Sequence, residues 1–464
     1  ASGLAKARDL KGESGSVIAV IGDGSLSGGE ALEGLDFAYE LHSNFIILVN
    51  DNDMSIAENH GGLYQNLRQL RETDGQHPCN LFRAMGLDYR FVKNGNNIGE
   101  MIAMLQEVKD IDHPVVVHMV TQKGKGYALA EQNKENWHWC MPFDLETGKS
   151  TVSFDGPDYG TMTADFLLKK MKADPKVVAV TAAVPAVFGF TAEKREEAGS
   201  QFVDVGIAEE HAIALSSGIA AAGGKPVFAT YSSFIQRTFD QLSQDLCINQ
   251  NPATVLIFAA SVYGMNDVTH LGIYDIPLIS NIPNMVYLAP TNQEEYFAML
   301  EWSMKQTAHP VAIRVPANGV LPAGAQPAQD YSQLNQYQVT QKGSQVAILA
   351  LGDFYQMGEA AAKLLEEKTG ATPTLINPRF ITGQDTDLLD SLKQEHRVIV
   401  TLEDGILDGG FGEKIARFYG AEDTKVLNFG LKKEFLDRYR LEDVLQENHL
   451  TPEQIVADIE AVIS

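Results

Sequence analysis

At 464 residues, 44% of them hydrophobic, the chain can bury several cores, and length alone predicts roughly three domains. A formal net charge of −25 opposes binding to nucleic acid or to an anionic membrane surface, and no apolar run reaches the length of a membrane-spanning helix. Three cysteines, Cys79, Cys140 and Cys247, are too few and too scattered for a disulfide framework or a zinc site, so a reducing cytoplasm is the expected setting.

The opening segment "ASGLAKARDL" has the spacing of an amphipathic helix without an N-cap residue before it, and the chain is therefore expected to be truncated at its N-terminus. Residues 16–120 alternate apolar runs ("SVIAVIG", "NFIILVN", "PVVVHMV") with helix-like segments ("GGEALEGLDFAYEL", "NIGEMIAMLQEVKD"), the rhythm of a doubly wound, mostly parallel sheet. The stretch 142–160, rich in Gly, Pro, Asp, Ser and Thr, reads as a linker. A second block follows, with strand-like "VVAVTAAV", "PVFATY" and "ATVLIFAA" and helical patterns over 207–222 and 233–249. After a second linker, "LPAGAQPAQDYSQLN", a third block runs from "QVAILALGDF" through "RVIVTLEDG". The fold class expected is α/β, with three doubly wound domains in series over 1–145, 158–320 and 336–464.

The first block carries the clearest chemistry. "VIAVIGDGSLSGGEALEGL" reads as a buried strand, a glycine turn and a helix start, an arrangement that cradles phosphate on backbone N–H groups. A nucleotide-binding loop of the Rossmann kind is one reading, with Asp51 as the acid at the end of the next strand. Against it, the glycines at 22, 24, 28 and 29 do not fit G-x-G-x-x-G, and Asp23 would repel a bare pyrophosphate. A hard divalent cation between carboxylate and diphosphate removes the conflict. Asp23 then becomes a metal ligand, Asn52 supplies an amide oxygen from the end of the neighbouring strand, and a backbone carbonyl nearby adds a third protein ligand.

"GDG" followed by "NDN" at this spacing resembles the thiamine diphosphate motif, and "NDNDMSIAENHGGLY" is similar to the 1-deoxy-D-xylulose-5-phosphate synthase family. The resemblance extends through "TQKGKGYALAEQNKENWHW", "VDVGIAEEHAIALSSGIAAAGGKPVFATYSSFIQRTFDQ", "NPRFITGQD" and "TLEDGILDGGFG", nearly the whole chain. It implies a diphosphate-binding, a pyrimidine-binding and a C-terminal domain in that order, thiamine diphosphate and Mg²⁺ as cofactors, and a homodimer. The implied substrates are small molecules, pyruvate and glyceraldehyde 3-phosphate, in isoprenoid-precursor and thiamine biosynthesis.

The resemblance also implies roles. Asp23, Asn52 and the Met54 carbonyl would hold the metal, and Gly22, Gly24, Ser25, Asn52 and Lys123 the diphosphate end, with Lys125 nearby. Glu209 in "GIAEEH" would face the aminopyrimidine as its acid-base partner, with Phe234 stacked on that ring and Tyr231 and Arg237 on the same turn. His138 in "NWHW" and His270 in "NDVTHLG" would carry protons, since imidazole titrates near neutrality.

The match breaks at the acceptor. Two arginines that bind the acceptor phosphate in the family correspond here to Ala259 in "FAAS" and Ala317 in "RVPANG", and an acidic residue corresponds to Asn266 in "GMND". Arg237 and Arg314 are the nearby cations that could compensate. Two further readings stay open: a related enzyme with another aldehyde acceptor or ketol donor, and a non-catalytic paralogue acting as a partner protein.

Overall fold

The computed structural model describes residues 1–152, 156–322 and 327–463, so parts of both expected linkers, 153–155 and 323–326, lie outside the described residues. The chain divides into two compact units. One comprises Ala1–Gly156 with Thr181–Pro185 and Asp204–Ala208; the other comprises Pro157–Val180, Ala186–Val203 and Glu209–Ser464.

The first unit is built on a four-stranded sheet of β1 (Val17–Gly22), β2 (Phe45–Asp51), β3 (Asp88–Val92) and β4 (Pro114–Val120), ordered β1-β2-β4-β3 and parallel throughout. Buried parallel strands read as unbroken apolar runs because both faces are covered. Ile47, Val49 and Val116 pack on one face with Leu67, Leu70 and Phe82, while Ile46, Leu48, Val115 and Val117 pack on the other with Val92 and Val108. Each such side chain contributes about 1.5–3 kcal/mol on burial. β3 escapes a reading for apolar runs, because "DYRFV" is an edge strand that carries Asp88 and Arg90. The opening helix, Ser2–Lys11, has no side-chain N-cap and stops at Gly12, whose φ of 64° suits glycine.

In the second unit a six-stranded sheet holds β5 (Val177–Thr181), β6 (Phe202–Asp204), β7 (Lys225–Tyr231), β8 (Thr254–Phe258), β9 (Val286–Leu288) and β10 (Val311–Arg314) in the order β6-β5-β7-β8-β10-β9. A five-stranded sheet holds β11 (Gln338–Gln341), β12 (Gln345–Ala350), β13 (Thr374–Asn377), β14 (His396–Ile406) and β15 (Lys425–Leu431), ordered β11-β13-β12-β14-β15, with β11 antiparallel to its neighbour. The expected helix over 207–222 forms as Glu209–Ala221, but 233–249 breaks into a 3₁₀ turn at Ile235–Thr238, a short α segment at Phe239–Gln241 and a π turn at Leu242–Cys247. Within the π turn, Ser217 Oγ (2.6 Å) and Asn249 Nδ2 (2.8 Å) both donate to the Asp245 carbonyl.

Registers Tyr231 opposite Phe258 and Arg314 opposite Ile257 bring the loops after β7, β8 and β10 to one sheet edge. This is the carboxyl edge of a parallel sheet, where such folds bind ligands. Among the described residues no helix is long and apolar enough to cross a membrane.

Candidate active site

In the first unit, Gly22 lies opposite Asn50, so the loop after β1 runs beside the end of β2. The Asp23 amide donates to the Asn50 carbonyl at 3.1 Å. Its carboxylate, 1% exposed, accepts from Asn59 Nδ2 at 2.9 Å and from the backbone amides of Gly24 and Asn52. Burial, and then repulsion from Asp51, pushes this carboxyl up to about 6. The side-chain oxygen of Asn52 is buried with no hydrogen-bond partner. A buried carboxylate beside an unsatisfied amide oxygen is a donor set for a hard, oxygen-preferring cation. Among the described residues no group of three His, Cys, Asp or Glu converges on one point, so a cation here would draw on amide and carbonyl oxygens as well.

The loop itself leaves no room for a side chain at Gly24, where an added Cβ would stand 2.6 Å from Ser55 Cβ, and the Gly24 carbonyl accepts from the Tyr64 hydroxyl at 3.0 Å. Gly22 is half-buried and Ser25 exposed; Met54, half-buried, pairs with Glu58 in an isolated antiparallel bridge. Lys123 Nζ donates to the Ser55 carbonyl and to His138 Nδ1, the latter at 3.0 Å. Burial lowers the Lys123 pKa; burial and then the Lys123 charge lower that of His138. With Nδ1 engaged by Lys123, Nε2 is the ring nitrogen left to bond elsewhere. Lys125 reaches only Gln122 Oε1, at 3.4 Å.

Asp51 does not face a ligand. Both of its oxygens accept from Arg71 Nη1 at 2.7 Å, and Oδ2 also accepts from His118 Nε2 at 2.8 Å. His118 Nδ1 in turn takes the Tyr89 hydroxyl at 2.8 Å. Against the effect of burial, His118 and Arg71 hold the Asp51 carboxyl below the usual range. An acid consumed in this way cannot read a ribose hydroxyl, which removes the Rossmann alternative.

In the second unit, Glu209 opens its helix at 2% exposure, and Oε2 accepts from Arg237 Nη1 at 3.0 Å. Burial raises the Glu209 pKa, with Arg237 opposing. The turn after β7 is tied by Phe234 N–H to the Tyr231 carbonyl (3.0 Å) and Arg237 N–H to the Phe234 carbonyl (3.2 Å). The Phe234 ring lies 5.4 Å from both the Tyr231 ring and the His270 ring, and Asp267 Oδ1 orients His270 through Nδ1 at 2.9 Å. The buried hydroxyls of Thr230, Ser232 and Ser233 on the same turn have no partner. The structure thus brings Glu209, Tyr231, Phe234, Arg237 and His270 onto one sheet edge of the second unit.

Ala259 and Ala317 follow β8 and β10, which are adjacent, and so belong to that edge too. The Ala317 amide donates to Asp353 Oδ2 at 2.8 Å, and Asn266 is engaged by the Arg438 amide (2.6 Å) and the Tyr439 carbonyl (3.3 Å). Arg314 does not compensate for the missing arginines. At 3% exposure it donates from Nε to Asp275 Oδ2 (2.9 Å), from Nη2 to Asp275 Oδ1 (3.3 Å) and from Nη1 to Asp404. Its guanidinium is consumed inside the unit. Arg237 is likewise committed, to Glu209 and Glu210.

Family models match in three stretches: one described as 1-deoxy-D-xylulose-5-phosphate synthase over residues 1–80 and 73–121, one as transketolase, pyrimidine binding domain over 155–320, and one as transketolase, C-terminal domain over 335–455. The chain is 36% identical to a 1-deoxy-D-xylulose-5-phosphate synthase of Clostridium perfringens, covering 98% of this chain and 79% of that one. The chain belongs to the 1-deoxy-D-xylulose-5-phosphate synthase family. The synthase of Clostridium beijerinckii is 37% identical over 98% of this chain and 79% of its own, and that of Alkaliphilus oremlandii 35% over 100% and 80%. Among solved structures, a split-gene transketolase superposes with TM-score 0.55 at 22% identity over 66% of this chain and 98% of its own. A transketolase from Pichia stipitis superposes with TM-score 0.53 at 16% identity over 97% and 76%. These structural matches show a transketolase-like fold.

Family membership makes the chain a transketolase-type transferase and implies thiamine diphosphate as cofactor. The first-unit residues fit the metal and diphosphate end of that molecule: an orphaned Asn52 oxygen, a buried Asp23 carboxylate and a loop closed to side chains at Gly24. Sequence reasoning missed Asn59 as the partner of Asp23, Tyr64 beneath Gly24 and Asp353 beneath Ala317. Asn59 lies within the quoted "NDNDMSIAENHGGLY", but no spacing rule ties it to Asp23.

Proposed function

We propose that the chain is a thiamine diphosphate-dependent transferase that decarboxylates pyruvate and joins the two-carbon fragment to an aldehyde, glyceraldehyde 3-phosphate in the family's own reaction. The observation that carries this reading is the buried Asp23 carboxylate beside the unsatisfied Asn52 oxygen. Asp23, Asn52 and the Met54 carbonyl hold Mg²⁺, and Gly22, Gly24, Ser25 and Lys123 bind the diphosphate. The domain boundaries kept with this reading are 1–145, 158–320 and 336–464, and the protein is taken as a cytoplasmic homodimer.

When bound, thiamine diphosphate supplies the acidic thiazolium carbon and the electron sink for decarboxylation. The chain supplies protons and position. Glu209 shares a proton with the aminopyrimidine nitrogen; burial raises its pKa toward the range in which such sharing works, and Arg237 fixes the carboxylate. Phe234 offers the ring a flat apolar face, with Tyr231 set edge-on to it. His138 offers Nε2 to hydrogen-bond a reacting group while Lys123 holds Nδ1, and Asp267 orients His270 through Nδ1 for proton transfer.

A second reading, in which the acceptor carries no phosphate, is favoured by one observation: Arg314 is sealed among Asp275 and Asp404, while Ala259 and Ala317 replace the family's arginines. Calorimetry with thiamine diphosphate and Mg²⁺, followed by carbon dioxide release from pyruvate with phosphorylated and plain aldehydes, tests both. Absence of cofactor binding favours the non-catalytic paralogue, whereas bound cofactor without carbon dioxide release from pyruvate refutes the pyruvate reaction and favours a ketol donor. Clear preference for glyceraldehyde 3-phosphate refutes the altered acceptor.

A further inference from the structure

The second unit contains a cavity of about 720 Å³ away from the residues given roles above. It is lined by residues 280–286, by His309, by residues 334–335 and 382–384, and by Gly409, Gly410, Glu413, Lys414 and Arg417. Its volume lies within the range of small-molecule sites. Helix Phe411–Tyr419 presents Glu413, Lys414 and Arg417 to it from one face, as spacings of three and four residues require.

The charges there are not balanced. Glu413 is turned back onto the Gly409 amide at 2.8 Å. Lys414 Nζ has a backbone carbonyl, that of Ile381 at 3.3 Å, and no acidic partner among the described residues; the side chains of Arg417 and His309 have no hydrogen bond or ion pair there. Burial pushes the Lys414 ammonium down to about 8, with the Glu403 carboxyl opposing and the Arg417 charge adding to the effect. Glu403, buried behind the helix start, is already engaged by the Phe411 and Gly412 amides, which donate to its two oxygens at 2.8 and 2.7 Å. Ile282 and Met285 supply an apolar wall.

We propose that this cavity binds a small phosphate-bearing molecule, with the dianionic head between Lys414 and Arg417 and the organic body against Ile282 and Met285. Two cations that converge while the lining acid, Glu413, is turned onto the Gly409 amide suit a dianion better than a monoanion, and the planar guanidinium fork matches phosphate oxygens in pairs. The site is independent of the reaction proposed above, so its fate does not depend on that reading.

Isothermal titration of the full chain with phenyl phosphate, and with benzoate as a monoanion of similar shape, tests it. The expected result is saturable phenyl phosphate binding with Kd below about 1 mM, weakened at least about tenfold by R417Q and by K414M, and unchanged by K123M, which alters only the first-unit cradle. Unchanged far-UV circular dichroism shows that the variants fold. Binding that survives both R417Q and K414M, binding lost in K123M, benzoate binding as tightly, or no saturation by about 10 mM would each overturn the proposal.

Discussion

Replacing Arg314 by Met removes the one cation bonded to two buried aspartates, Asp275 at 1% exposure and Asp404 at 0%. Asp275 keeps the Tyr287 hydroxyl and Asp404 keeps Ser261. Neither hydroxyl offsets a charge. A carboxylate stranded in this way must stay ionised and unpaired, a loss of about 3–5 kcal/mol, or take up a proton. Protonating a carboxyl of ordinary pKa 3.8 at pH 7 costs about 4 kcal/mol, so both routes give a similar penalty. At pH 5 the proton costs only about 2 kcal/mol.

The sign follows from linkage. The folded variant holds a proton that the unfolded chain releases above its own carboxyl pKa, so the deficit grows as pH rises from 5 to 7. Urea midpoints at pH 5 and 7, read by circular dichroism at constant m, measure it. R314M within about 1 kcal/mol of the parent at pH 7, or a deficit that does not shrink at pH 5, refutes the reasoning. A normally stable R314M with a raised KM for a phosphorylated acceptor would instead mean that Arg314 faces substrate.

The remaining expectations concern the cofactor residues. E209Q should lower pyruvate decarboxylation about 100- to 10,000-fold while cofactor affinity by calorimetry changes far less; parent-like turnover would remove Glu209 from acid-base work. K123M should raise the pKa of His138 toward the ordinary imidazole value, because it removes the cation 3.0 Å from Nδ1; an NMR titration in which His138 does not move contradicts the assigned contact. G24A forces its Cβ to 2.6 Å from Ser55 Cβ and should cost about 1–3 kcal/mol, part of which S55G restores; a neutral G24A would mean that the loop is looser than described.

Much of the diphosphate loop was legible in the sequence, and for a physical reason. Buried parallel strands are continuous apolar runs, and parallel neighbours bring their carboxyl ends together, so Asp23 and Asn52 could be paired although 29 positions apart. Family resemblance, rather than periodicity, put Tyr231, Phe234 and Arg237 on one turn. Reading for apolar runs missed β3, whose "DYRFV" alternates charge with aromatics, and periodicity read 233–249 as one helix where the chain changes from 3₁₀ to α to π turns.

The sequence by itself determined the α/β class, the glycine loop with Asp23 inside it and the absence of arginines at positions 259 and 317. The tertiary structure decided which charged groups are free. Arg314 meets Asp275 and Asp404 from 39 and 90 residues away, and Asp51 meets Arg71 and His118 from 20 and 67. Whether a charge faces substrate or is neutralised in the core depends on partners that chain order does not bring near. Local spacing encodes a strand or a turn, whereas the pairing of buried ions is settled only when desolvation forces each one to find its opposite.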